Sequence, residues 1–166
     1  MGGLRIFDLK TKTYKVKTHN NLDKYSIPDN IIRDMQYYNN NLILLTATGI
    51  SRLDLNDDKV YDFSTDSIIE RALKQSFVYS FYIDSQERMW LSLLDGMRCI
   101  NLRTKKIQDY RNDPADPYSL GKFRVSTVLE TGDHQLYFGT SGSGLFKYQP
   151  KLIILKTIHR NKTADE

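Results

Sequence analysis

Three histidines and one cysteine are the side chains of this sequence best suited to acid–base, metal or nucleophilic chemistry. His19, His134 and His159 are far apart along the chain, and Cys99 is the only cysteine. An eliminating lyase needs a general base, usually histidine, beside a metal or an acid. No Ser-His-Asp order, metal-ligand cluster or glycine-rich phosphate loop accompanies these residues. We therefore expect no catalytic residue, no metal site and no cofactor in this chain.

A pattern that recurs at a near-fixed interval is the strongest feature of the sequence. Its best-defined copy is Met89-Trp90-Leu91-Ser92, and steps of 47 residues from Trp90 reach Ile43 and Tyr137. A glycine follows each copy, and successive glycines are 46, 47 and 48 residues apart: Gly3, Gly49, Gly96 and Gly144. An outer position keeps the same register, at Tyr14, Val60, Ile107 and Leu155. The chain is thus built from copies of one repeat of about 47 residues.

Each full repeat predicts four short strands separated by polar turns. In the third repeat we expect strands at 78–83, 89–93, 97–102 and 107–110. Four antiparallel strands per repeat of this length are typical of a β-propeller blade. Because a four-stranded sheet has two faces to bury, each blade must stack on its neighbours. The sequence leaves open whether residues 67–74, in the link after the second repeat, form a short helix.

The fold class we expect is all-β, an incomplete β-propeller of about three and a half four-stranded blades. Residues 1–166 then form a single propeller fragment, with a half blade at 3–20 and blades at 30–64, 76–112 and 123–160. The second strands carry Trp90, Ile43 and Tyr137, which we expect to fill the space between blades. The recurrent glycine allows a tight link where a side chain would clash.

Composition and charge limit the classes of function. The 166 residues are 40% hydrophobic and 11% aromatic, which is globular, and 24 basic against 20 acidic residues leave a mild excess of +4. The densest basic run, 10–17, reads as a turn and a strand with one solvated face, so we expect no bound nucleic acid. No apolar run reaches the roughly 18 residues that span a bilayer, and the start, 1–4, lacks signal-peptide regions. We therefore expect a soluble chain, with its redox compartment undecided by one cysteine.

Candidate ligand-binding residues lie on one predicted rim. In a propeller the links between blades share a rim with the turns between second and third strands. The charged or planar side chains expected there are Arg71, Asp95, Arg111, Tyr118, Lys122 and Arg124. Such groups can anchor an acidic or neutral sugar. The three histidines fall on different rims, which argues against one convergent active site.

The residues of the third repeat resemble a known family pattern. Val78, Ser80, Asp84, the Trp90-Leu91-Ser92 run and the following Gly96-Met97 look like the two-component regulator propeller repeat. The segments 136–148 and 112–120 are similar to another copy and to the link that precedes many such repeats. The resemblance covers nearly the whole chain. Departures occur in the second repeat, where Ile43 replaces the expected Trp and 39–41 replaces an Asp-rich turn.

The resemblance implies a sensor. Such repeats build the extracytoplasmic, periplasmic half of hybrid two-component histidine kinases of gut bacteria, commonly as seven-bladed propellers that respond to polysaccharide breakdown products. The chain would then be about half of one propeller, and its partners would be the remaining blades of a membrane receptor and an oligosaccharide. It would not itself be an enzyme, although the parent protein would be a histidine kinase.

Two other functions stay open at this point, and the fold raises a question of assembly. A protein-interaction scaffold like the WD-repeat propellers is one alternative, although the repeats lack the Trp-Asp ending. A propeller lyase is the other. An open propeller fragment leaves sheet edges and blade faces uncovered, so we expect the isolated chain to self-associate or to be unstable.

Overall fold

The computed structural model describes residues 2–74, 77–116, 119–120, 124–149 and the backbone of 154–158. Within these residues the chain forms fourteen β-strands and one α-helix, and the strands belong to four antiparallel sheets. The expected all-β fold class is therefore confirmed. The chain divides into two compact units, residues 1–83 and 84–166.

The first unit contains a hairpin, a four-stranded sheet, a helix and one further strand. Its elements are β1 (Leu4–Phe7), β2 (Tyr14–Lys17), β3 (Ile32–Tyr38), β4 (Asn41–Thr46), β5 (Gly49–Asp54), β6 (Val60–Asp62), α1 (Ser67–Lys74) and β7 (Ser80–Ile83). Strands β3 to β6 are hydrogen-bonded in sequence order, which is the meander expected of a blade. Their sheet packs Leu44, Leu53 and Val60 with Leu4 and Ile27 in one buried cluster.

Helix α1 settles the question that the sequence left open for residues 67–74. The Asp66 carboxylate accepts hydrogen bonds from the backbone N–H groups of Ile68 and Ile69, at 3.0 and 3.2 Å. This is an N-cap, which satisfies donors that the first turn leaves without partners. Ile69 and Ala72 are buried, so tertiary packing stabilises a helix that would be marginal alone.

The second unit contains two runs of antiparallel strands. Its elements are β8 (Arg88–Leu93), β9 (Gly96–Asn101), β10 (Ile107–Arg111), β11 (Val125–Glu130), β12 (Leu136–Thr140), β13 (Leu145–Gln149) and β14 (Ile154–Ile158). β8, β9 and β10 pair in sequence order, as do β11 to β14. In the third repeat the four predicted strands and the observed ones agree within two residues at each end.

The pairing register confirms the repeat. The outer positions each pair with the residue seven before, one pair per repeat: Phe7 with Tyr14, Leu53 with Val60, Ile100 with Ile107, and Tyr148 with Leu155. The recurrent glycines all have φ between 79° and 150°, a region that favours glycine. A side chain at Gly96 would also collide with the Tyr110 carbonyl. The prediction of a clash is wrong for Gly49, where a Cβ would meet nothing within 4 Å.

Trp90 is the centre of the second unit's core. Its ring is fully buried and lies 5.7, 5.1 and 4.9 Å from the rings of Tyr110, Phe138 and Tyr148. Because Phe138 and Tyr148 belong to the next repeat, Trp90 fills the space between sheets as expected. The same expectation is wrong for Tyr137, which is only partly buried. The neighbouring Phe138, on the opposite face of β12, is the ring that packs inward.

Candidate functional site

The rim of the first unit encloses a cavity. The turn between β4 and β5 meets the link that contains α1, and together they surround a cavity of about 290 Å³. Polar or charged groups in its wall come from Thr46, Ser51, Asp62, Glu70 and Lys74, and apolar groups from Ile50, Leu73 and Phe77. The sequence predicted that these segments share a rim, and within this unit they do.

Two local interactions order the mouth of this cavity. Lys74 forms an ion pair with Glu70 one helical turn earlier, and the hydrogen bond that its ammonium group donates to this carboxylate raises the pKa of Lys74. The Arg33 guanidinium lies over the Phe77 ring, 4.2 Å from its centroid. Such a contact is a cation–π interaction. Both pairs are solvent-exposed, so each stabilises the fold only slightly.

The rim of the second unit has a comparable construction. Asp95, in the turn between β8 and β9, forms an ion pair with Arg111 at the end of β10. A guanidinium nitrogen of Arg111 also lies 3.4 Å from the Asp109 carboxylate. Further along, the backbone N–H of Ser141 donates to the carbonyl of Arg124 at 3.0 Å. Second-to-third-strand turns and inter-sheet links thus meet in this unit as well.

The structure brings together two of the six residues predicted for ligand binding. Asp95 and Arg111 are paired and remain 58% and 55% exposed. Arg71 is exposed on α1 in the other unit, and Arg124 is half-buried and directly precedes β11. Tyr118 and Lys122 lie outside the described residues. The Asp95–Arg111 pair is therefore the part of the predicted site that the structure assembles.

Asp84 has a structural role that its pattern did not reveal. Its buried carboxylate accepts hydrogen bonds from the side chains of Arg88 and Trp90, at 2.6 and 2.8 Å. It also accepts from the backbone N–H groups of Gln86 and Arg88, at 2.9 and 3.0 Å. One carboxylate thus closes the turn before β8 and fixes the orientation of the central indole. Asp84, which belongs to the pattern that resembles the two-component regulator propeller repeat, therefore stabilises the fold in this chain.

An arginine–aspartate pair between β9 and β10 was also missed by the sequence analysis. Arg98 Nε and Nη2 donate to the two carboxylate oxygens of Asp109, at 2.7 and 2.9 Å. This bidentate geometry is the strongest form of such a pair. The hydrogen bonds from Arg98 hold the pKa of Asp109 below its ordinary value. Only the cross-strand register, which brings Asp109 opposite Arg98, could have suggested the contact.

Polar side chains also connect neighbouring strands of different repeats. The Gln36 amide exchanges two hydrogen bonds of 2.7 Å with the backbone of Ile83, and Asp34 accepts from the N–H of Phe81 at 3.1 Å. These contacts join β3 to β7 without a backbone ladder. They satisfy the edge groups that a strand otherwise leaves open.

Ser85, Glu130 and His134 form a cluster that has the composition of a catalytic triad without its geometry. Ser85 Oγ lies 2.5 Å from a Glu130 oxygen and 2.9 Å from His134 Nδ1, and Glu130 lies 3.4 Å from the same Nδ1. In a relay the serine and the acid use different ring nitrogens. Here both contact Nδ1, so the cluster is a turn-closing network.

His19 is also held by local contacts, while His159 lies outside the described residues. Its two ring nitrogens lie 2.8 Å from the Ile27 carbonyl and 2.7 Å from the Asn21 side-chain oxygen. The hydrogen bond to the Ile27 carbonyl raises the pKa of His19. Both nitrogens are therefore engaged in closing a loop.

The described part of the chain contains neither a metal-binding cluster of side chains nor a membrane-spanning helix. Among those residues, no three His, Cys, Asp or Glu side chains are grouped so that they could hold a metal ion. The helix found there is too short and too polar to cross a bilayer.

Comparisons with known proteins identify the fold. The chain matches the extracellular domain assigned to the hybrid two-component system BT3049 of B. thetaiotaomicron, with a TM-score of 0.73, 17% identity and 93% of the chain covered. It also matches the corresponding domain of BT4673, with a TM-score of 0.64 and 18% identity over 98% of the chain. The chain has a propeller-type β fold. It spans only about a fifth of either neighbour, 20% and 21%.

One neighbour of this propeller-type fold is an enzyme. An inactive variant of virginiamycin B lyase from Staphylococcus aureus, bound to quinupristin, matches with a TM-score of 0.56 and 15% identity. The alignment covers 91% of this chain and 47% of the lyase. No family model and no curated protein matches the sequence. At these identities the neighbours show the architecture alone.

Proposed function

We propose that this chain is part of the ligand-sensing propeller of a two-component receptor. The observation that carries the proposal is the structural match to the extracellular domains of two hybrid two-component systems over more than nine-tenths of the chain. The family-like pattern around Trp90 supports it independently, because that pattern was identified from sequence. The receptor's kinase function would belong to other parts of a longer protein.

The same matches support an extracytoplasmic, periplasmic location. Both neighbours are described as extracellular domains. A sensor in that location meets its ligand before the signal crosses the membrane. We infer that the segment works there, as part of a receptor anchored in the inner membrane.

The ligand we propose is an oligosaccharide derived from a polysaccharide, bound at the rim that carries Asp95 and Arg111. Half-exposed carboxylate and guanidinium groups can each form two hydrogen bonds with vicinal hydroxyls. Because the two groups already pair with each other, they are oriented before a ligand arrives. Preorganisation of this kind reduces the entropy that binding must overcome.

Calorimetric titration with a panel of plant and host oligosaccharides tests this ligand class. The variants are Asp95→Asn and Arg111→Gln, and the matched control is Arg103→Gln. Arg103 is an exposed arginine that forms a 3.6 Å ion pair with Glu87 in a different turn of the same unit. We expect both rim variants to weaken binding at least tenfold and the control to leave it unchanged. Equal affinities in all four proteins would refute the rim as the site.

The remaining blades of the parent receptor are the partners we propose. The hairpin of β1 and β2 is a two-stranded sheet, whereas the other three sheets have four strands each within the described residues. Exposed apolar side chains lie on this hairpin, at Phe7, Tyr14 and Val16. We infer that these side chains are covered in the longer protein, and that the isolated chain self-associates. Sedimentation measures the oligomeric state, and thermal unfolding measures cooperativity. A monodisperse monomer that unfolds cooperatively would contradict this.

A further inference from the structure

The cavity of the first unit occupies a position that an arginine fills in the third repeat. Ser51 and Asp62 are cross-strand partners on β5 and β6, and Arg98 and Asp109 are cross-strand partners on β9 and β10. Each residue of the first pair precedes its counterpart by 47 positions. Because side chains alternate between the faces of a strand, equal register places both pairs on equivalent faces.

In the third repeat, an arginine and an aspartate at this position form an ion pair. Arg98 is 8% exposed, and its guanidinium group donates two hydrogen bonds to Asp109. The hydrogen bonds to Asp109 raise the pKa of Arg98. The guanidinium group therefore fills the space above the strand pair and supplies the carboxylate with a cation.

In the second repeat the aspartate stays and the arginine is missing. Ser51 is 2% exposed, and its Oγ is the buried side-chain oxygen without a hydrogen-bond partner in the described residues. The side chain of Asp62, which is exposed, also forms no hydrogen bond or ion pair within the part of the chain that the structure describes. Both residues belong to the wall of the cavity of about 290 Å³. An unpartnered buried hydroxyl costs about 1–3 kcal/mol, which a bound polar group would recover.

Asp62 is the carboxylate of the cavity wall that forms no ion pair among the described residues. Glu70 and Lys74 pair with each other, and Arg33 is stacked on Phe77. Asp62 acts electrostatically on the groups of this wall. Glu70 has the larger effect in raising the pKa of Lys74, and the charge of Asp62 raises it further. A group that binds beside Asp62 should therefore be a cation with hydrogen-bond donors.

We propose that this cavity binds the guanidinium or ammonium group of a small ligand, in the place that the Arg98 side chain takes in the third repeat. The volume is at the small end for ligand sites, which fits one cationic group and a short alkyl stem. Ile50 and Leu73 supply apolar wall for the stem. The site shares no residue with the Asp95–Arg111 pair and does not depend on the proposed sensor role.

Titration with methylguanidinium, followed by amide chemical shifts, tests the proposal on the full chain. Methylurea is the matched neutral probe, because it has nearly the same shape and lacks the charge. We expect saturable shifts for residues of the cavity wall with methylguanidinium and none with methylurea. Shifts of equal size with both probes would overturn the proposal.

Three variants make the assignment specific. Asp62→Asn removes the carboxylate and should weaken methylguanidinium binding at least tenfold. Ser51→Arg should fill the cavity from within and abolish binding. Asp58→Asn removes an exposed carboxylate of the same unit that pairs with Lys15 and Lys17 and should change nothing. Unchanged binding in Asp62→Asn would overturn the proposal whether or not the Ser51 variant folds.

Discussion

The second and third repeats have the same strand register but different side chains at several equivalent positions. Strand register and the glycine turn agree between them, yet Ser51 and Asp62 surround a cavity where Arg98 and Asp109 form a bidentate pair. The core differs as well, since Ile43 takes the position of the buried Trp90. The repeat pattern therefore determines where the strands lie. The side chain at one strand position, serine or arginine, determines whether a cavity remains beside the sheet.

The largest difference should appear in the core. Trp90→Ala removes the ring that packs on Tyr110, Phe138 and Tyr148 and should lower the free energy of unfolding by about 3–5 kcal/mol. Ile43→Ala, at the equivalent position, removes fewer buried atoms and should cost about 2–3 kcal/mol. Urea denaturation of both variants measures the gap. A larger loss for Ile43→Ala would mean that Trp90 is not the centre of its core.

The aspartates of the two pairs should respond very differently to substitution. Asp109→Asn leaves the nearly buried Arg98 without its counter-charge and should cost about 2–3 kcal/mol of unfolding free energy. Asp62→Asn breaks no pair seen among the described residues and should change stability by less than about 0.5 kcal/mol. Thermal unfolding compares the two directly. Similar losses would show that Asp62 has a partner of equal strength.

The two turn glycines separate backbone strain from collision. Gly96 and Gly49 have φ of 150° and 143°, but only at Gly96 would a Cβ strike the backbone at Tyr110. Gly49→Ala should therefore cost about 1 kcal/mol from conformation alone, and Gly96→Ala about 2 kcal/mol or more. The check is chemical denaturation of the paired variants. Equal costs would remove the steric part of the explanation.

The smallest expected effect is a pH dependence confined to the second unit. Burial alone would raise the pKa of Glu130, but hydrogen bonds from the Ser85 side chain and backbone outweigh it, so the pKa lies below its ordinary value. A carboxylate with a lowered pKa stabilises the fold above its unfolded-state pKa, and this stability is lost as the pH falls through the folded-state pKa. Glu130→Gln should flatten the acid side of the stability profile by about 1 kcal/mol or less. An unchanged profile would mean that the ionisation of Glu130 does not contribute to the pH dependence of stability.

Much of the fold was predictable because the repeat is written into the sequence. The register of Val60 and Ile107, the buried Trp90 and the strand order all follow from a pattern that needs only local periodicity and turn residues. Tyr137 was misjudged because period alone does not say which face of a strand a neighbouring sheet covers.

The site was less predictable, since its contacts join residues that are close only after folding. The Arg98–Asp109 pair needs the cross-strand register, and the cavity beside Ser51 depends on how α1 packs over β5. Helix α1 itself could not be decided from sequence, because a helix of eight residues forms only with tertiary support. The sequence could place Asp95 and Arg111 near each other because turn and link positions belong to one rim, and the structure pairs them.

A double-mutant cycle on Ser51→Arg and Asp62→Asn tests most directly whether positions 51 and 62 of the second repeat are structurally equivalent to Arg98 and Asp109 of the third. Unfolding free energies of the original chain, both single variants and the double variant give the coupling between the two positions. We predict a favourable coupling of about 1 kcal/mol or more, because Arg at position 51 would donate to Asp62 as Arg98 does to Asp109. Additive effects, with no coupling beyond about 0.3 kcal/mol, would contradict the equivalence of the two positions.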